Sequence, residues 1–151
     1  MARSISGGFS GRVKARRWPY GDGGRKQRRM TRDDFNAFCA SLPATTHVVQ
    51  WGGADVWKIG GQVFAIGWDE GDSCAVTFKA GDFAFEILRD APGLRPAPYL
   101  ASRGLKWIQN HATPGLDDEE LRAYLRRSYD MVAADLPKKT RKTLGLADPP
   151  A

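Results

Sequence analysis

A pair of glycines, Gly60-Gly61, sits between two β-rich runs, Asp55–Ile59 and Gln62–Trp68. Both glycines can take positive φ at little cost, so the pair signals a two-residue hairpin. A turn this short joins only antiparallel neighbours. The flanking sequence extends the pattern. Thr46–Trp51 is β-branched and aromatic, and Gly52-Gly53 turns the chain. Asp69–Asp72 makes another turn. Ser73–Lys79 then alternates, with Cys74, Val76 and Phe78 on one face and Ser73, Thr77 and Lys79 on the other. The expectation is an antiparallel sheet with one face on a core and the other less buried.

Three helices frame these strands. Thr31 and Asp34 have capping-box spacing, with Met30 and Phe35 at the staple positions around them. Phe35, Phe38, Cys39 and Leu42 follow at helical spacing until Pro43. A second helix is expected over Asp82–Ala91, with an apolar stripe of Phe83, Ala84, Ile87, Leu88 and Ala91. Arg95-Pro96-Ala97-Pro98-Tyr99-Leu100 reads as an extended link, and Leu105–Gln109 as a last strand. Asp117 and Glu120 box the third helix, Leu116 and Leu121 staple it, and Ser128 lies inside its apolar stripe. Pro137 ends that helix or begins a new short one.

Charge divides the chain. Residues 1–30 hold nine basic residues against the single acid Asp22, while the other 121 hold 14 bases and 16 acids, a net of −2. The first segment is rich in Gly, Arg and Ser and reads as disordered. Three readings of it stand: sequence upstream of a true start at Met30, a phosphate-binding arm, or a solvated tail. Residues 31–145 form one expected domain, and 146–151 a short flexible tail. The basic residues at the N-terminus precede no apolar region of the kind a secretory signal has, and no apolar run is of membrane-spanning length. Cys39 and Cys74 each sit in an apolar pattern, as buried free thiols of a cytoplasmic protein do.

The ordered landmarks Phe38-Cys39…Leu42-Pro43, Trp51-Gly52, Val56-Trp57-Lys58-Ile59-Gly60-Gly61-Gln62-Val63-Phe64-Ala65, Thr77-Phe78-Lys79, Ala97-Pro98-Tyr99-Leu100, Lys106-Trp107-Ile108 and Ser128-Tyr129…Leu136-Pro137-Lys138-Lys139 resemble the MmcQ/YjbR family. The resemblance covers roughly residues 31–145. It implies a two-layer α+β fold akin to frataxin-like (CyaY) and secretion-chaperone-like folds. About five antiparallel strands would carry helices on one face, in the order α-β-β-β-β-α-β-α. Members are commonly described as DNA-binding, and the family implies no agreed catalytic residues.

Two sets of side chains fit phosphate contact. Lys138, Lys139, Arg141 and Lys142 are the densest basic cluster of the domain. Lys79, Arg103 and Lys106 combine with Trp107, which would stack a nucleobase if exposed and would otherwise be core. A solvated helix end explains the first set equally well. Asp117, Asp118, Glu119 and Glu120 fit a helix N-terminus better than a metal site. Arg126 has Asp130 four residues on, a helical ion pair. His47 and His111 lie in no nucleophile or metal motif, and the glycine pairs match no phosphate-binding loop. The expected protein is a non-catalytic, monomeric DNA-binding module without cofactor or metal; the alternative is a protein-interaction or chaperone-like module using a free sheet or helix face.

Overall fold

The computed structural model describes residues 29–70 and 73–146. The reading of residues 1–28 as an arm, and of 147–151 as a tail, lies outside the described residues. Thr31 caps α1 (Arg32–Ser41): its side chain accepts from the Asp34 amide, and Asp34 accepts from the Thr31 amide in return. The chain then forms β1 (Thr45–Gln50), β2 (Ala54–Ile59), β3 (Gln62–Glu70) and β4 (Ser73–Lys79). After α2 (Asp82–Leu88) come β5 (Leu94–Pro96) and β6 (Trp107–Asn110). The second capping box, Asp117 with Glu120, opens α3 (Asp118–Ala134), and Pro137 begins α4 (Lys138–Leu144).

The sheet is antiparallel throughout, in the order β1-β2-β3-β4-β6-β5. It has six strands rather than about five. The added strand is β5, in which Leu94, Arg95 and Pro96 pair with Asn110, Gln109 and Ile108. The Pro-rich segment is extended there, as expected, but two prolines gave no hint of pairing. Pro96 is tolerated because β5 is an edge strand.

Gly60 and Gly61 turn the hairpin with positive φ. Gly60 has a second constraint: a Cβ there would lie 2.7 Å from the Leu136 side chain. A β-bulge beyond the turn breaks the β2–β3 register at Trp57/Lys58. Phe64 and Ala65 both join the main core, beneath α1 and α3 with Trp57, Ile59, Cys74, Val76, Phe78 and Ile108. Ser128 of α3 serves this irregularity. Its hydroxyl donates to the Phe64 carbonyl at 2.6 Å and accepts from the Lys79 amide at 2.9 Å. The polar residue inside the apolar stripe thus bridges two strands through backbone groups.

The other sheet face is covered more than expected. Ala54, Val56 and Ile66 form a small second cluster, against which Leu100 packs. Thr77 and Gln109 are buried, and Gln109 accepts from Arg95 at 2.8 Å. On α2 the buried face is Ala84, Phe85 and Leu88, whereas Phe83 is 80% exposed and Ile87 also faces solvent. The expected stripe was therefore rotated: the helix ends at Leu88, three residues early, and packs through Phe85.

Candidate functional site

The topology gives the sheet two ends with different chemistry. At one end β2 begins, β3 finishes, and α1 starts beside them. Arg32, the first residue of α1, donates from Nε to Asp55, from Nη1 to Asp69 at 2.6 Å, and from Nη2 to the Gly53 carbonyl. Asp55 also accepts from Asn36 at 3.0 Å, and its other oxygen lies 2.7 Å from His47 Nε2. Asn36 accepts in turn from Trp57 Nε1 at 2.8 Å. The His47 and Trp57 rings are 4.8 Å apart between centroids.

This cluster follows from strand alternation. His47 and Trp57 are register partners, and Asp55 precedes Trp57 by two, so all three project from the helix-facing side. A carboxylate on that side must be paired. Asp55 is only 4% exposed. Burial pushes its carboxyl up, but hydrogen bonds from Arg32, Asn36 and His47 outweigh this and hold it down to about 2. The Asp55 hydrogen bond raises the Arg32 guanidinium in turn. The arrangement ties α1 to three strands, with its donors and acceptors matched to one another.

The sequence pattern places His47 in a strand without a partner and does not mark Arg32, Asn36, Asp55 or Asp69 as members of a site. The available signal was Asp55 two residues before Trp57 on a core-facing stripe. The thiols of Cys39 and Cys74 lie in the adjoining core, free and buried. Burial pushes both up, Cys74 to about 12. Among the described residues, no three His, Cys, Asp or Glu side chains gather as metal ligands do.

At the opposite end β2 and β4 finish, β6 begins, and α3 runs out into α4. Here the topology unites the two basic sets. Lys79 is the register partner of Trp107, and the Lys106 carbonyl accepts from the amides of Ala80 and Gly81. Lys79 Nζ reaches Asp135, the C-cap of α3, at 3.4 Å. Three residues later α4 starts with Lys138 and Lys139. Lys138, Lys139 and Lys142 are exposed, and among the described residues none of the three is in an ion pair. Arg103 is exposed on a short 3₁₀ turn before β6.

Three of the predicted contact residues also have structural roles. Arg141 donates from Nη1 to the Leu136 carbonyl at the α3–α4 junction. Lys106 Nζ lies 4.9 Å from the centroid of the Phe85 ring. Trp107 is 9% exposed, so its indole belongs to the packed sheet and presents no open stacking face. The Arg126–Asp130 pair is present at 3.2 Å on the α3 surface.

A family model, YjbR, matches residues 40–131, from the end of α1 into α3. The chain belongs to the YjbR family. Both ends of the sheet just described lie largely inside the YjbR match, while Arg32, Asn36 and α4 lie outside it. Among solved structures, the Deinococcus radiodurans protein DR2400, with a DUF419 domain, is similar at 26% sequence identity and a TM-score of 0.68. That match covers 79% of this chain and 91% of the other. No curated protein matches the chain. Among the described residues, no helix is long and apolar enough to cross a membrane.

Proposed function

We propose that this YjbR-family chain binds DNA without catalysis, through phosphate contacts made at the basic end of its sheet. The observation that carries this reading is the convergence of β4, β6 and α4. It brings Lys79 and Lys106 to the same end as Lys138, Lys139 and Lys142. Ammonium groups on flexible stems neutralise phosphates as point charges and release counterions. With Trp107 buried, such binding rests on the backbone and carries little base readout. Two buried free thiols suit a reducing compartment, so cytoplasmic residence is part of the proposal.

The test is a titration of labelled duplex and single-stranded DNA with the full chain at two salt concentrations. The wild type is expected to bind, more weakly at higher salt. Lys138→Ala/Lys139→Ala/Lys142→Ala is expected to bind more weakly and to flatten the salt slope by up to about 3. Absence of binding at low salt would refute the reading. Exposed Phe83 and Ile87 on α2 support a second reading, a protein-interaction module that contacts its partner through that helix face. Phe83→Ser should then abolish a partner contact while leaving DNA titrations unchanged.

A further inference from the structure

The two borders of the sheet are built differently. Border strands expose unpaired N–H and C=O groups, and proteins blunt them with shortness, charge, proline or bulges. β5 has three residues, of which one is Arg95 and another Pro96. β1 has six residues, Thr45-Thr46-His47-Val48-Val49-Gln50, with no Lys, Arg, Asp, Glu or Pro among them. Its pairing with β2 runs through all six positions without a register shift, so no bulge bends it away. Four of the six are β-branched. Val49 is 57% exposed and Trp51, one residue beyond the strand, 55%.

We infer that β1 is a self-pairing edge, through which two copies of this chain join their sheets antiparallel about a two-fold axis. The strand's own chemistry selects a second copy as occupant. Directly opposite residues of an antiparallel pair share a face. A two-fold centred on a residue therefore keeps the helices of both copies on the same side of one continuous sheet. Centring on His47 would set two imidazoles against each other. Centring on Val48 sets Val48 against Val48, His47 against Val49 and Thr46 against Gln50. No like charges then meet, the central pair is valine on valine, and every other pair has a β-branched residue on one side. Trp51 of each copy lies across from Thr45 of the other. A charged extended peptide would find no complementary charge on this strand, whereas a second copy needs none.

Seven paired residues per copy, 45–51, make an interface smaller than those of permanent dimers, so the association is reversible and concentration-dependent. It departs from the monomer expected from the sequence. It is independent of the DNA reading, because none of the β1 residues it invokes is among the lysines invoked there.

Sedimentation velocity of the full chain over about a hundredfold range of concentration tests the inference. The wild type is expected to pass from monomer to dimer. Val49→Lys, at an exposed position, is expected to stay monomeric throughout with an unchanged far-UV circular dichroism spectrum; Val49→Thr is expected to dimerise. Amide exchange of residues 45–50 is expected to slow as wild-type concentration rises. Three results would overturn the inference: a wild type that is monomeric throughout, a Val49→Lys variant that dimerises like the wild type, or a dimer whose β1 amides exchange as in the monomer.

Discussion

The two ends of the sheet spend their charges in opposite ways. At the α1 end, Arg32, Asp55, Asp69 and Asn36 are committed to one another and to His47 and the Gly53 carbonyl. At the α4 end, Lys138, Lys139 and Lys142 stand in solvent. Helix direction accounts for part of the first end: α1 and α3 both start there with acids in their first turns, where the positive pole of the helix favours them. Lys138 and Lys139 instead open α4, whose positive pole gives them no such support. Similar residue types therefore do different work. Buried and matched, they hold elements together; exposed and alike, they add little to stability and remain available to a polyanion.

That contrast can be broken at either end, and the largest effect is expected at the buried one. Asp55→Ala removes the acceptor of three side chains and leaves Arg32 and Asn36 short of partners. A loss of about 3 kcal/mol in urea unfolding is expected, with DNA titrations of the folded protein unchanged. A loss below about 1 kcal/mol would show that the clamp is replaceable.

Acid tests the same carboxylate without mutation. Its folded value is about 2 against an ordinary 3.8, so its contribution is complete above roughly pH 4 and is lost as pH falls toward 2. The contribution is about 2 kcal/mol. Between pH 5 and 3, wild-type stability should fall more steeply than that of Asp55→Asn, as read from urea midpoints.

At the lysine end, Ser128→Ala is the substitution expected to cost most. It strips partners from the Phe64 carbonyl and the Lys79 amide, and a loss of about 1–2 kcal/mol is expected in the same assay. Asp135→Asn removes a pair whose carboxylate is well exposed, and should change stability by less than about 0.5 kcal/mol. The Lys138/Lys139/Lys142→Ala variant should unfold within about 0.5 kcal/mol of the wild type while losing DNA affinity. A large stability loss in this last variant would erase the distinction between the two ends.

Much of the fold was legible in the chain. The Gly60-Gly61 hairpin, both capping boxes and the core-facing set Cys74, Val76 and Phe78 of β4 depend on residues within a few positions of each other, and each is present, although β4 is buried on its other face as well. The seven residues of α2 offer two overlapping apolar stripes that share Ala84 and Leu88, and only the position of β5 and β6 beside the helix selects Phe85 over Phe83 and Ile87. β5 escaped notice because three residues bearing a proline have no periodicity to recognise. The two basic sets were each visible as sequence clusters, but nothing local said that they share an end.

Sequence by itself determined the local elements, the antiparallel connectivity of the hairpins, the family resemblance and the confinement of net positive charge to the first 30 residues. These depend on backbone preference, short spacings and simple composition. Tertiary structure alone decided which polar groups meet. Arg32 and Asp55 are 23 positions apart, and Lys79 and Ser128 are 49 apart. Pairing at that separation is set by strand order, bulge and helix placement, which hydrophobic packing of the whole sheet determines at once. The same packing turned Trp107 inward and, among the described residues, left β1 at the border of the sheet.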